Sequence, residues 1–280
     1  MVSYLKGDQV AMFKPLKTQL KKPVEKLFTL VPDNLILRNY CKRYVDRFDG
    51  DNNEDILLNG EADLLQRYMP RSEVVFDVGA NVGNWAQTAL SFNRNAKLYC
   101  FEPFSVTFQR LSQRHFPPNV ILNNFGLSSS PEERTMYGSD DYVDSGLSSL
   151  YKREIIGILG LKTPDQEETI HLETLDNYCL KQGIERIDLL KLDVEGHELA
   201  VLTGAKRMLE TERINVIQFE YNNTHIDSRV FLKDFFELFK ETNYSLYKIH
   251  PKRLRLVERY DFRMENFQYQ NWAIIRKGWN

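Results

Sequence analysis

Five polar residues stand at or just beyond the ends of apolar runs: Asp77, Glu102, Asn124, Asp193 and Glu220. In an open α/β sheet, ligands bind outside the carboxyl ends of the strands, so residues at these places converge on one ligand. Asp77 closes the run Val74-Val75-Phe76 and leads into a turn, Gly79-Ala80-Asn81-Val82-Gly83, after which Asn84-Trp85-Ala86 opens a helical pattern. A buried strand passing through a glycine turn into a helix holds an adenosine-bearing cofactor. Glycine lets backbone approach such a ligand with no Cβ in the way. Glu102 can accept hydrogen bonds from both ribose hydroxyls. Asn124, with Phe125 and Gly126, stands where an adenine edge is read by polar groups beside an aromatic ring. Each signal alone is weak, because an Asp or Asn often only caps the next helix. Together they favour an adenosine ligand.

The glycine spacing narrows the cofactor. In a dinucleotide fingerprint the first, third and sixth places are glycine; here they are Gly79, Asn81 and Asn84. The missing glycines are those that admit a pyrophosphate and seat the helix close to the sheet, which opposes a NAD-dependent oxidoreductase. A phosphate-cradling G-x-x-x-x-G-K-[ST] is also absent. The sequence D-V-G-A-N-V-G resembles motif I of the S-adenosylmethionine (SAM) methyltransferases, which implies that Asp77 sits near the methionine ammonium.

More widely, the chain resembles the FkbM family of SAM-dependent methyltransferases. The resemblance rests on VVFDVGANVGNWA (74–86), FEP (101–103), GLSSS (126–130), SGLSSL (145–150), TLDNY (174–178), IDLLKLDVEGHELAVLTGA (187–205) and VIQFEYN (216–222). It covers roughly residues 60–250 and implies a class I methyltransferase sheet and O-methylation of a glycan, glycolipid or polyketide-like hydroxyl. Such a reaction needs the oxygen aligned with the S–CH3 bond, and alignment supplies much of the acceleration. An alkyl hydroxyl is protonated at neutral pH, so a base or a metal belongs nearby. Asp193, Glu195 and His197 cluster after the fourth strand, with Glu220 and Asn222 at the fifth. Asp193, Glu220 and Asn222 also match the way catechol-type O-methyltransferases hold Mg2+, whose hard oxygen ligands and open water positions suit such a set. The alternative is that these carboxylates only bond loop amides or substrate hydroxyls. His197 is a candidate base because imidazole titrates near neutrality, although a helix start disfavours its cation. His225 is the second candidate. Ser148 and Ser149 can touch substrate hydroxyls or simply form turns.

Other functions fit less well. Methylation of a DNA amine calls for [DNS]-P-P-[YF] after the fourth strand, and LDVEGH stands there; with no basic recognition domain, nucleic acid is not an expected substrate. A non-catalytic SAM-binding or scaffold protein has no need of acids at the fourth and fifth strands.

The elements that must position these residues follow from length and pattern. A chain of 280 residues with 42% apolar content holds one large α/β domain plus an extension. No apolar run approaches the ~18 residues of a spanning helix, and no signal-peptide core opens the chain, which predicts a cytoplasmic protein. Cys41, Cys100 and Cys179 are too few and too scattered for a disulfide framework or a zinc site. The net charge of −2 hides an asymmetry: residues 1–50 carry ten Lys/Arg against five Asp/Glu, leaving 27 against 34 elsewhere. The basic stretch 10–30 can lie on an anionic membrane surface. Pro15 and Pro23 shorten its helical face, which favours packing on its own domain or on a sister subunit in a homo-oligomer. A helical pattern runs from Asn34 to Phe48, and Asp49-Gly50-Asp51-Asn52-Asn53 reads as a linker.

From Glu61 helix and strand alternate, predicting a doubly wound, mostly parallel seven-stranded α/β sheet. Residues 1–60 form an N-terminal helical extension and 61–280 the catalytic domain. Strands are expected at Val74–Val78, Lys97–Phe101, Val120–Phe125, Ile187–Asp193, Ile214–Tyr221, Tyr244–Ile249 and Trp272–Ile275. An inserted β-hairpin with a long loop interrupts the alternation at 128–172, and loops of that length are often functional.

Overall fold

The computed structural model describes residues 26, 29–30, 33–138, 148–152 and 165–279. Most of the basic stretch 10–30 and of the polar segment 139–150 lies outside them. The chain divides into two compact units, Met1–Val45 and Asp46–Asn280. The first contributes most of helix α1 (Leu35–Asp49), none of whose side chains is buried. Asn34 starts that helix: its Oδ1 accepts from the Ile36 and Leu37 amides, satisfying two of the donors a helix start leaves open.

The second unit runs α2 (Glu61–Tyr68), β1 (Val74–Val78), α3 (Asn84–Phe92), β2 (Lys97–Phe101), α4 (Ser105–Ser112), β3 (Val120–Asn123), β4 (Gly126–Leu127), β5 (Glu132–Gly138) and β6 (Gln166–Glu173). It continues with α5 (Leu175–Gln182), β7 (Ile187–Leu192), α6 (Glu198–Thr203), α7 (Lys206–Glu210), β8 (Ile214–Tyr221), α8 (Thr224–Ser228), α9 (Leu232–Leu238), β9 (Tyr244–His250), β10 (Arg253–Leu256) and β11 (Gln270–Arg276). The main sheet has the order β10-β9-β11-β8-β7-β1-β2-β3. Strands β3, β2, β1, β7 and β8 are parallel, while β11 is antiparallel to both β8 and β9. Eight strands stand where seven were expected. The extra one, β10, lies in the basic segment after Ile249 and alternates arginine with leucine. Charge on an edge strand guards against association, because an apolar edge would template pairing with another chain.

The insertion is a small sheet of its own, β4-β6-β5, in which β5 and β6 form the expected hairpin. Between β7 and β8 the helical stretch is broken into α6 and α7 at Gly204, where a Cβ would stand 2.0 Å from the Ser128 carbonyl oxygen. The expected linker after Asp49 is pinned to the sheet. Asp51 is buried in an ion pair with Lys248 and accepts from Asn266 at 2.9 Å, and the Asn52 amide donates to the Tyr269 carbonyl at 2.9 Å.

Apolar layers cover both faces of the sheet. One face packs Phe76, Leu190, Ile217 and Ile274 under α5–α9; the other packs Val75, Leu189, Val216 and Ile275 under α2 and α3. At the entry end of the central strands, the fully buried Asp188 accepts from the Glu73 and Val74 amides at 2.8 and 3.1 Å and from Asn215 Nδ2 at 2.8 Å. It pairs with Arg186 at 2.8 Å. One carboxylate thus ties the starts of β1, β7 and β8. Asp188→Ala strands buried donors from two strands, and we expect a loss of about 3 kcal/mol in urea unfolding, with Asp188→Asn losing less.

Candidate active site at the ends of the central strands

A cavity of 690 Å³ opens over the exit ends of β1, β2, β7 and β8, in the size range of a cofactor site. Strand register explains what lines it. Asp77 lies beside Lys191, and Lys191 beside Gln218. Alternate residues of a strand share a face, so the next same-face positions are Gly79, Asp193 and Glu220, with Asn271 paired to Glu220. One row is sealed under the cavity and the next meets it. Gly79, Asp193 and Glu220 line the cavity, whereas Asp77, Lys191 and Gln218 do not.

The sealed row carries a buried charge. Lys191 Nζ stands 3.6 Å from Asp77 Oδ1 and 3.0 Å from Asp193 Oδ2. Burial alone would discharge this amine, but Asp193, Asp77 and Glu61 hold it protonated, well above the ordinary lysine value. The acids outnumber it. Burial raises Asp77 to about 6 despite Lys191, and raises Glu61 as well. Burial, then Asp193 and Glu195, push Glu220 well above the carboxylate range. The whole cluster is short of positive charge.

The other end of the cavity is apolar. Pro103, Leu127, Met136, Leu150, Ile170 and Leu172 line it, most of them supplied by the inserted sheet. Glu102 stands between the two ends. Its Oε2 accepts from the Asn81 amide and its Oε1 from the Phe104 amide, both at 3.0 Å, which fixes the turn after β1 against the end of β2. Burial still raises Glu102 to about 7. An apolar slot, a carboxylate at its mouth and an acidic far end fit the nucleoside, ribose and cationic portions of SAM.

The expected site residues divide into those on the cavity wall and those behind it. On the wall are Gly79, Asn81, Glu102, Gly126, Ser148, Asp193, Glu195, His197, Glu220 and Asn222. Asp77 is fully enclosed and faces Lys191, so it does not line the cavity. Ala80, Gly83 and Asn84 belong to the turn and the helix behind it, and Asn84 Oδ1 takes the Arg114 guanidinium. The glycines serve protein contacts. A Cβ on Gly79, at φ +83°, would stand 1.8 Å from the Asp193 carbonyl oxygen, and one on Gly83 would meet Leu111 and Phe116 at 2.8 Å. Asn124 donates to the Glu102 and Pro103 carbonyls, clamping the loop, while Phe125 packs on Phe101 and Tyr178. Ser149 is buried and donates to the Glu195 carbonyl at 3.1 Å.

The histidines are corrected in the same way. His225 is buried 3.1 Å from Glu198, whose other oxygen accepts the Val194 amide, so the pair braces the loop after β7 from behind. His197 reaches the wall, but its Nδ1 lies 2.9 Å from the Tyr151 hydroxyl and its Nε2 2.9 Å from Ser128 Oγ. Burial, then Arg134, lower it to about 4. A neutral ring with both nitrogens engaged is a poor proton acceptor.

The Mg2+ set does not fit. Asn222 Oδ1, the oxygen a cation would need, accepts from the Thr224 amide at 2.8 Å and the Thr224 hydroxyl at 2.6 Å, and its Nδ2 donates to Glu220. The Thr224 N–H fixes that amide orientation. Asp193 is satisfied by an ammonium. Among the described residues, no three His, Cys, Asp or Glu side chains gather to hold a metal ion.

Sequence reasoning missed Lys191, Glu61 and the wall residues Asn52, Glu54, Gln268 and Tyr269. Lys191 had a signal: a lysine inside the otherwise apolar run IDLLKL. The wall residues had none, because the segments that bear them reach the site only through the fold.

The methyltransferase FkbM domain matches residues 77–264. The hexuronic acid methyltransferase AglP of Haloferax volcanii is 28% identical over 186 residues, 62% of this chain and 70% of that protein. The 2-O-methyltransferase NoeI of Sinorhizobium fredii is 28% identical over 173 residues, 58% of this chain and 68% of that one. The crystal structure of methyltransferase FkbM from Methylobacillus flagellatus KT aligns with a TM-score of 0.43 at 15% identity, covering 72% of this chain and 43% of that chain.

Lys191→Met removes the one cation of the sealed row. Breaking a buried pair from one side costs about 3–5 kcal/mol, and we expect that loss in urea unfolding. Because the abandoned acids can escape by taking up protons, the deficit should shrink as the pH is lowered toward 5.

Proposed function

This chain belongs to the FkbM methyltransferase family, and from that premise we propose that it transfers the methyl group of SAM to a hydroxyl of a glycan, glycolipid or polyketide-like acceptor. The observation that carries the reading is the pairing, in one cavity, of an apolar slot and Glu102 with the acidic end at Asp193 and Glu220. The hexuronic acid and 2-O-methyl specificities named for two relatives support a hydroxyl-bearing, sugar-type acceptor. Among the described residues no helix is long and apolar enough to cross a membrane.

SAM supplies an activated methyl group on a sulfonium; the acceptor oxygen forms the new C–O bond as the C–S bond breaks, and S-adenosylhomocysteine leaves. The protein's part is to hold the hydroxyl in line and remove its proton. Glu220 is the base in this reading. Its burial among acids makes its carboxyl unusually avid for a proton, and a cationic ligand beside it favours the ionised form that accepts one. Asn222 holds Glu220 in place: with its oxygen fixed by Thr224, its amide N–H can only point at the carboxylate. Asp193, paired with Lys191 at 3.0 Å, faces the sulfonium side and offers an acceptor to the hydroxyl. His197, with Ser128 and Tyr151, shapes the wall and does not take the proton.

Glu220→Gln is expected to lower turnover by about 100-fold or more while keeping SAM affinity within a few-fold. Asp193→Asn should weaken both. The rate is read from S-adenosylhomocysteine formation, and full activity in Glu220→Gln would remove it as the base. EDTA should leave turnover unchanged; silencing by EDTA with recovery in Mg2+ would reinstate a metal. Affinity for SAM should also depend on pH. Ribose hydroxyls bond best to ionised Glu102, whose ligand-free form takes a proton below about 7. Calorimetry should therefore show SAM binding strengthening from pH 6 to 8, by at most about tenfold per unit on the acid side. Binding of NAD in preference to SAM would overturn the assignment.

A further inference from the structure

Four residues of the cavity wall hold a backbone conformation that side chains rarely adopt. Asn52 (φ +55°), Asn81 (φ +47°), Glu195 (φ +54°) and Phe267 (φ +50°) all line the cavity in the left-handed region. Asparagine visits that region readily, because its short amide bonds locally; a phenylalanine is strained there. Such strain persists only where the surroundings over-determine it, and it concentrates at ligand sites.

Phe267 is held from both sides. Before it, Glu265 accepts from the Tyr221 hydroxyl and from the Leu232 and Lys233 amides, the last two at 3.1 and 3.0 Å. Asn266 Nδ2 donates to Asp51 at 2.9 Å, while its Oδ1 accepts from the Gln268 N–H at 3.0 Å and from Gln270 Nε2 at 2.6 Å. After it, Asn52 Nδ2 donates to Gln268 Oε1 at 2.8 Å and the Asn52 N–H to the Tyr269 carbonyl at 2.9 Å. Phe267, Gln268 and Tyr269 line the cavity as three consecutive residues. An extended strand does not present three in a row, since its successive side chains point to opposite faces. The left-handed turn at Phe267 relieves that restriction.

The ring itself is fixed. It stacks on Tyr221 with centroids 5.8 Å apart and meets Phe231 edge-on at 6.2 Å. Tyr221 lies between Glu220 and Asn222, so this plate stands at the same strand end as the proposed base. The amides of Asn52 and Gln268 lie beside it on the wall. A saturated six-membered ring carrying hydroxyls has matching parts. Its C–H face is apolar and suits the electron-rich face or edge of an aromatic ring, and its hydroxyl rim suits groups that both donate and accept.

We propose that Phe267 is a specificity-determining residue of the acceptor site, a fixed platform on which the C–H face of a saturated six-membered ring, a pyranose or its carbocyclic equivalent, stacks with a hydroxyl turned toward Glu220. The proposal rests on the methyl-transfer reading above and adds how the acceptor is held.

Methyl hexopyranosides of gluco, galacto and manno configuration, set against the corresponding acyclic hexitols, test it. Both series carry hydroxyls on a six-carbon skeleton, and only the first has a rigid C–H face. Binding of each to the full chain loaded with S-adenosylhomocysteine is measured by saturation-transfer NMR, and methyl-labelled SAM reports transfer in parallel. At least one pyranoside should bind, with saturation strongest on the protons of one ring face and the matching hexitol weaker by about tenfold or more. Phe267→Asn keeps a residue tolerant of the left-handed backbone and removes the ring. It should weaken the pyranoside by about tenfold while SAM affinity moves by less than about twofold, and Phe267→Trp should recover most of the loss. A residue that served packing alone would shift SAM affinity as well and leave the preference for ring over chain intact. Hexitols that bind as well as the pyranosides overturn the proposal, as does unchanged pyranoside affinity in Phe267→Asn or failure of every pyranoside to bind. Should Phe267→Asn not fold, the comparison of ring with chain in the unaltered protein still decides. Pyranoside binding that depends on Phe267, with no methyl label transferred, would overturn methyl transfer and uphold the platform.

Discussion

One buried ammonium organises the active end of this protein. Lys191 sits in a strand whose every residue is buried, beside Asp77 on β1 and below Asp193 at the end of its own strand. A charge in such a place is tolerable only when opposite charges surround it. Here they do more than balance it. Glu61 approaches from α2, Gln218 from β8 bonds to Glu61, and Asn59 and Asn271 add further hydrogen bonds to Glu61. The helix before the sheet, three parallel strands and the last antiparallel strand are therefore held in one register by polar contacts as well as by apolar packing. Acids therefore outnumber bases at the cavity floor.

The geometry of a pleated strand carries this charge to the cavity. Because side chains alternate, a residue two places on from a sealed one reappears on the same face nearer the opening. Lys191 leads to Asp193 and Gln218 to Glu220, so the buried network and the reactive wall are successive rows of one sheet face. Gly79 completes the outer row with no side chain at all, and the space lets the loop after β7 close against the turn after β1. A substitution in the sealed row is thus felt in the open one without any contact to the ligand.

The insertion and the chain ends build the rest. The sheet β4-β6-β5 walls the apolar slot with Met136, Ile170 and Leu172, while the segments around Asn52 and Gln268 close the opposite side. Parts that lie outside the repeating helix–strand rhythm thereby shape much of the cavity wall, and the ends of the central strands supply Glu102, Asp193 and Glu220.

Much of this was legible in the amino-acid sequence. Apolar runs of five to eight residues separated by helical periodicity define the parallel strands, and the polar residue after each run locates the functional edge, because strand ends and helix starts in this architecture meet on one side. Glu102, Asp193 and Glu220 were found in that way. The order of the strands, the antiparallel β11 between β8 and β9, and the edge strand β10 could not be read, since pairing partners are chosen by packing between segments far apart in the chain. The division of expected site residues into wall and backing was likewise a tertiary decision. Asp77 and His225 have the same chemical types as residues that do face the cavity, and only the surrounding bulk determines that Asp77 is spent on Lys191 and His225 on Glu198. Local pattern determined which residues reach the carboxyl edge of the sheet; burial, a property of the whole fold, decided which of them a ligand can touch.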